Sequence, residues 1–246
     1  MIERDIVPGV HRIEDSFVNW YLIEEGGKLT AVDAGLPVSW ESLYQAVTQA
    51  GRTLSDLEAV VLTHAHFDHV GFAERARSEL GVPVWVHEAD ADLTRHPWRY
   101  DKERSPAFYL VRPPTVRIFA SLARHGALWA KRIASVRTFG NDGTLDVPGT
   151  PKILFTPGHT YGHVAFHLPD RDVVIAGDAL VTLNPYTGGK GPQIVARAAT
   201  ANSQQALASL DRLAETGAGT LLPGHGPPWT RGAEEAVRLA RAAGVS

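Results

Sequence analysis

Within the run Thr63-His64-Ala65-His66-Phe67-Asp68-His69 the chain crowds together three imidazoles and a carboxylate. These are the nitrogen and oxygen donors that hold zinc, iron or manganese. Crowding them costs free energy unless a cation shares their lone pairs. A helix cap would give Asp68 a purpose but leaves the pair His64 and His66 unexplained. Three later stretches each set one donor beside glycine: Pro157-Gly158-His159-Thr160, Gly177-Asp178 and Pro223-Gly224-His225-Gly226. Glycine lets the backbone turn sharply, so that a side chain can project from the end of a strand. The candidate metal ligands are therefore His64, His66, Asp68, His69, His159, Asp178 and His225. Seven donors exceed what one tetrahedral ion can use, whereas two divalent ions about 3.5–4 Å apart, sharing a carboxylate, use them all. Zinc is the expected metal, and iron and manganese suit the same donors.

Apolar runs and turn signals place these residues on elements. Val10 to Ile13, Asn19 to Ile23 and Leu29 to Val32 read as strands, with Gly26-Gly27 turning the last two into a hairpin. Pro37 to Ala50 reads as a helix stopped by Gly51. The strand Ala59 to Leu62 runs into the histidine motif, and its period of two puts His64 and His66 on one side. A helix follows from Val70 and stops at Gly81, and Val84 to Val86 is the next strand. Later strands, Lys152 to Phe155, Val173 to Ala176 and Thr220 to Leu222, lead into His159, Asp178 and His225 respectively. Val164 to Leu168 is a further strand, and Ser203 to Glu215 and Arg231 to Ala243 read as helices. Strands alternating with helices imply an α/β fold, with helices packed on sheets.

Composition limits the alternatives. At 246 residues, 44% apolar and 21% charged, the chain suits one soluble globular domain spanning 1–246 with a sizeable core. No apolar run approaches the roughly 20 residues that span a bilayer. Met1 to Asp5 carries both charge signs and leads into Pro8-Gly9, unlike a targeting segment, so the expected compartment is the cytoplasm. With no Cys, disulfides, thiolate ligands and a cysteine nucleophile are excluded.

Residues 95–139 differ in character and read as a mainly helical inserted segment. Trp98, Tyr100, Phe108 and Tyr109 lie among charges and prolines, and Thr115 to Ile133 reads as one helix. On it, Ile118, Leu122, Trp129 and Ile133 would form an apolar stripe beside a basic one of Arg117, Arg124 and Lys131. Residues 95–137 hold ten Lys and Arg against two Asp and Glu, within a chain of net charge −3. Such a segment suits either a solvated helix or a cap that favours an anionic or amphipathic small-molecule substrate. Nucleic-acid recognition signals are missing. Oligomeric state is left open.

His64-Ala65-His66-Phe67-Asp68-His69, Pro157-Gly158-His159-Thr160, Gly177-Asp178 and Pro223-Gly224-His225-Gly226 resemble, in order and spacing, the metal motifs of the metallo-β-lactamase superfamily. Asp33 in Val32-Asp33-Ala34-Gly35 matches the early Asp of that family, which supports the metal loops. The resemblance covers nearly all of the chain except the basic segment, and is to a glyoxalase II-like metal-dependent hydrolase, since glyoxalase II enzymes share this metal set. It implies a four-layer αβ/βα sandwich with the site at one edge. By it, His64, His66 and His159 hold one metal, Asp68, His69 and His225 the second, and Asp178 bridges the two.

The expected activity is that of a dinuclear metal-dependent hydrolase, a bridging hydroxide attacking a small ester, thioester, lactone or related bond. Asp68 is the expected catalytic residue, orienting the nucleophile and moving its proton. The resemblance narrows the substrate by exclusion. The family's β-lactamases generally lack the bridging Asp, and glyoxalase II enzymes append a helical domain, for which the 21 residues after His225 are too few. Acyl-homoserine lactonases place a Tyr where this chain has Val181, so Tyr186 can stand in only if its loop folds back. Two alternatives are a mononuclear iron enzyme resembling persulfide dioxygenases and a non-catalytic metal-binding module. His163 is expected to support the site rather than bind metal, His96 and His125 are weaker pocket candidates, and His11, His87 and His167 are expected in core or surface roles. Gly188 to Gly191 lacks a phosphate-loop pattern and is expected to be a mobile loop near the site.

Overall fold

Alternation along the strands decides the layering. In β3 (Val18–Glu25), Trp20 and Leu22 pack into one cluster while Tyr21 and Ile23 pack into another on the opposite face. The computed structural model describes residues 1–246. Its larger sheet orders β1 (Ile2–Val7), β2 (Val10–Asp15), β3, β4 (Lys28–Val32), β5 (Leu57–Val61), β6 (Val84–His87) and β7 (Arg137–Phe139) as they occur in sequence. The first four strands form an antiparallel meander, and from β4 onward the pairing is parallel. Each parallel pair needs a crossover. α1 (Ser39–Gln49) and α2 (Ala73–Leu80) supply the first two and cover the outer face through Leu43, Ala46, Val47, Ala73 and Ala76.

The second sheet is built from β8 (Asp142–Thr144), β9 (Lys152–Phe155), β10 (Val164–Leu168), β11 (Val173–Gly177) and β14 (Thr220–Pro223), in the order β14-β11-β10-β9-β8. Val173 and Ile175 of β11 face the first sheet, where they join Tyr21, Ile23, Ala59 and Val61. Val174 and Ala176 point the other way, under α4 (Ser203–Ser209), α5 (Asp211–Ala214) and α6 (Ala233–Ala243). Three apolar interfaces thus separate four layers, the αβ/βα sandwich expected from the sequence.

Several elements depart from expectation. β1 pairs with β2 through the Pro8-Gly9 turn, so the charged start of the chain is a strand. The helix expected from Thr115 to Ile133 is shorter: α3 (Pro113–Arg124) ends where His125 Nδ1 donates to the Ser121 carbonyl and Gly126 turns at φ +88°. Of the proposed stripe, Ile118 and Leu122 are buried on α3, Ile133 is buried against the first sheet, and Trp129 stands 69% exposed on a following tight turn. The helix expected from Ser203 to Glu215 divides at Leu210 into α4 and α5. Gly188 to Gly191 is no free loop, because β12 (Val181–Leu183) and β13 (Lys190–Gln193) form a hairpin around it, closed by Asn184 N–H to the Gly189 carbonyl at 2.9 Å.

The join between the histidine run and α2 has no spare room. A Cβ on Gly71 would lie 2.1 Å from the Leu36 carbonyl carbon, and its amide already donates to the Gly35 carbonyl at 2.8 Å. Both neighbours are backbone and cannot swing aside. Gly71→Ala is expected to destabilise the chain by about 1–3 kcal/mol through overpacking, read as a lowered urea midpoint at unchanged m.

Candidate metal centre

Every candidate donor follows the end of a strand. β5 runs into Thr63 and the histidine motif, β9 into His159, β11 into Asp178 and β14 into His225. One strand belongs to the first sheet and three to the second, so the site forms where the two sheets meet. All seven side chains are buried, Asp68 being the most exposed at 8%.

The side chains gather into two groups. His64, His66 and His159 bring their nitrogens within 4.8 Å of one another, and so do the donor atoms of Asp68, His69 and His225. Asp178 lies between them: its Oδ2 is 3.4 Å from His159 Nε2 and 3.3 Å from His225 Nε2. A third grouping, Asp33 with His64 and His69, has its atoms committed elsewhere. Asp33 Oδ1 accepts the Thr63 amide at 2.7 Å, and Oδ2 accepts His69 Nδ1–H at 2.9 Å. Asp33 is a supporting residue, held at φ +64° where β4 ends.

Hydrogen bonds fix which nitrogen His64, His69 and His225 offer. The Thr63 hydroxyl gives its proton to Asp33, so His64 Nδ1–H must donate to Thr63 Oγ1, leaving the Nε2 lone pair free. His225 Nδ1–H donates to the Phe17 carbonyl at 2.7 Å, which likewise frees Nε2. His66 Nδ1 and His159 Nε2 face each other at 3.0 Å. Six buried side-chain polar atoms have no hydrogen-bond partner, and five belong to these residues: His64 Nε2, His69 Nε2 and Asp178 Oδ1, together with His66 Nε2 and His159 Nδ1 on the ring edges opposite the His66–His159 contact. Orphaned donor atoms at this density fit a cation-binding site.

Charge divides the groups further. Burial holds His64 and His66 well below the usual histidine range and His159 at about 4, so these rings are neutral with lone pairs available. Burial also disfavours charge on His69, but Asp33, Asp68 and Asp178 outweigh it and raise that ring to about 10. His225 moves up by the same balance, against burial, through Asp178 and Asp68. Burial raises Asp68, whereas for Asp178 burial is overcome by His225 and His69 and the carboxyl is held well below its usual range.

Supporting contacts explain why the loops hold this shape. His163 accepts the Asp178 amide at Nε2 (3.1 Å) and meets Thr156 Oγ1 through Nδ1 (2.8 Å), a supporting role. Asn19 Nδ2 donates to the Pro223 and Gly226 carbonyls, and the Tyr21 hydroxyl also reaches Pro223, pinning the His225 loop to β3. Sequence reasoning missed Asp90. This buried carboxylate accepts the Ala65 amide, the Thr160 hydroxyl and the Gly162 amide, tying the His64 loop to the His159 loop. Its one signal is position, just beyond the end of β6.

Aromatic side chains close the front of the site. The Tyr100 ring lies 4.2 Å from that of His66, and Trp98 stacks on Phe67 at 3.7 Å. The loop after β12 does fold back, and Tyr186 lines the cavity with its hydroxyl 3.4 Å from that of Tyr100. His96 lines a polar pocket beside His159 together with Arg99 and Tyr161. His125 caps α3, His11 accepts the Asp5 amide and His87 bonds Asn141.

A family model described as the metallo-beta-lactamase superfamily matches residues 13–225. The chain belongs to that superfamily. It is similar to a Bacillus subtilis protein named probable metallo-hydrolase YflN, 29% identical over 90% of this chain and 85% of that one. Among solved structures, a metallo-beta-lactamase family protein from Thermus thermophilus matches with TM-score 0.69 and 26% identity, over 97% of this chain and 80% of its own. The protein TTHA1623, solved in a di-iron-bound form, matches with TM-score 0.59 and 28% identity over 89% of this chain and 92% of that one.

Two outcomes follow from this geometry. Asp90→Ala strands two buried amides and a hydroxyl, so metal affinity is expected to fall about 10–100-fold with the fold retained, measured by competition with a chelator. Proton release should separate the two groups. Protons compete with a cation for the same lone pairs, so uptake at the group containing His69 should weaken as pH falls below about 10, where that ring gains its proton, and should release a proton at neutral pH. Uptake at His64, His66 and His159 should release none at neutral pH, since burial holds all three rings neutral there, and His159 gains a proton only as pH approaches about 4. Titration calorimetry in buffers of different ionisation enthalpy reads both.

Proposed function

We propose that this metallo-hydrolase of the metallo-beta-lactamase superfamily works with two divalent cations on a small ester, thioester, lactone or related substrate. The observation that carries the reading is Asp178, one carboxylate oxygen of which approaches a histidine from each donor group. His64, His66 and His159 would hold one cation and Asp68, His69 and His225 the other, with Asp178 shared. The di-iron-bound form of TTHA1623 supports the count, and the donor set suits zinc, iron or manganese. When bound, such cations polarise a carbonyl group and make water nucleophilic near neutral pH.

The chain's own residues supply orientation and proton transfer. Asp68 Oδ2 stands 3.5 Å from His225 Nε2 and lines the cavity, where its carboxylate can accept a proton from the attacking water and return it to the leaving group. Burial already raises its affinity for that proton. Tyr100 and Tyr186 keep bulk water from the front of the site, and Tyr100 brings the 95–137 segment over it as a cap. In the adjoining polar pocket Arg99 offers a cation to an anionic part of the substrate.

The test compares two substitutions after metal analysis and a screen of esters, thioesters, lactones and phosphodiesters. Asp178→Asn is expected to lower metal content, because it removes the shared anion. Asp68→Asn, compared at matched metal content, is expected to leave KM nearly unchanged and lower kcat about 10²–10⁴-fold. A fully loaded Asp68→Asn protein at the unmodified rate would move proton transfer to another group, and a stoichiometry fixed at one metal would remove the shared role of Asp178.

A further inference from the structure

Exposed apolar side chains gather on one part of this molecule. Of twelve large hydrophobic residues that stand exposed, seven fall within residues 98–129. Val111 is 84% exposed, Trp129 69% and Phe108 67%. Beside them an apolar groove is lined by Phe67, Trp98, Leu110, Val116, Phe119 and Leu128. The groove borders the metal centre, since Phe67 sits between His66 and Asp68 in the chain and carries Trp98 stacked upon it.

The same stretch concentrates positive charge. Residues 98–129 carry six Lys and Arg against two Asp and Glu, a net of +4, while the remaining residues hold eighteen against twenty-five, a net of −7. Three occupants could cover such a face, and the observations separate them. A second copy docked face to face would set +4 against +4, a repulsive arrangement. One small substrate in the groove would leave Phe108, Val111 and Trp129 in water, since none of them lines it. An anionic lipid surface satisfies both features: tryptophan and aliphatic tips enter the headgroup boundary while Lys and Arg meet the anionic headgroups. The negative remainder of the chain is repelled from the same surface, which fixes the orientation.

We propose that residues 98–129 dock this protein peripherally on an anionic lipid surface, with the apolar groove and the metal centre behind Phe67 on the docked side. No helix is long and apolar enough to cross a membrane, so the attachment is to the surface. The proposal is independent of the hydrolytic reading, because lipid binding can be measured without turnover.

The full chain is sedimented with vesicles of phosphatidylcholine and phosphatidylglycerol in equal parts, and with vesicles of phosphatidylcholine alone. Binding is expected only with phosphatidylglycerol present, weakening as salt is raised through the range that screens exposed charges. Val111→Ser combined with Trp129→Ser removes two exposed tips without touching the core, and should weaken vesicle binding about tenfold or more. Arg117→Glu should weaken it in the anionic vesicles alone. Both variants should keep the metal content and the rate on a small water-soluble ester. Absence of vesicle binding, or equal binding with and without phosphatidylglycerol, overturns the proposal. So does a dimer by light scattering that the double variant converts to monomer, which would make the face a self-association surface.

Discussion

Buried lone pairs without partners are the constraint on which this structure depends. Each buried polar atom left unpaired costs about 1–3 kcal/mol, and a domain is stable by only about 5–15 kcal/mol in all. Three such atoms facing one small space, His64 Nε2, His69 Nε2 and Asp178 Oδ1, would consume a good part of that margin if nothing offset them. A cation offsets them, so the sequence must hold the donors in place and at the same time leave their lone pairs uncommitted. The surrounding hydrogen bonds do this for three of the rings by engaging the far side: Thr63 for His64, Asp33 for His69 and the Phe17 carbonyl for His225.

The donors come from both sheets, which makes the centre a product of tertiary packing. β5 contributes the histidine run from one sheet, while β9, β11 and β14 contribute His159, Asp178 and His225 from the other. Register between the sheets is set by the apolar interface of Tyr21, Ile23, Val61, Phe166 and Ile175. Polar ties finish the alignment at the edge. Asp90 joins the His64 and His159 loops, and Asn19 with Tyr21 joins β3 to the His225 loop.

The layers, and the convergence of the seven candidate side chains, were legible in the sequence because each rests on local chemistry. A strand that alternates, and a donor set off by glycine, can be read without knowing what lies across the fold. Asp90 was not legible, since its value lies in amides contributed by residues 65 and 162, far away in sequence. The long helix from Thr115 to Ile133 failed for a different reason. His125-Gly126 is itself a stop signal, and the four- and seven-residue spacing of Trp129 and Ile133 outweighed it although those residues take their burial from separate contacts. β7 and β8 are three residues each and take their strand geometry from neighbours rather than from any pattern of their own.

The third crossover of the large sheet joins β6 to β7, two strands that lie side by side, by way of a long excursion that includes Trp98, Tyr100 and α3. Both ends of that excursion are clamped in the sheet, so beyond Asp90 at its start its length and composition can change without altering where β5, β9, β11 and β14 end. Closing a longer connection is cheap: doubling one costs only about 0.6 kcal/mol. The roof over the metal centre is therefore the part of this fold most free to diverge. Descendants of such a scaffold could exchange one set of targets for another by rewriting a single connection, while the seven candidate donors beneath it stayed as they are.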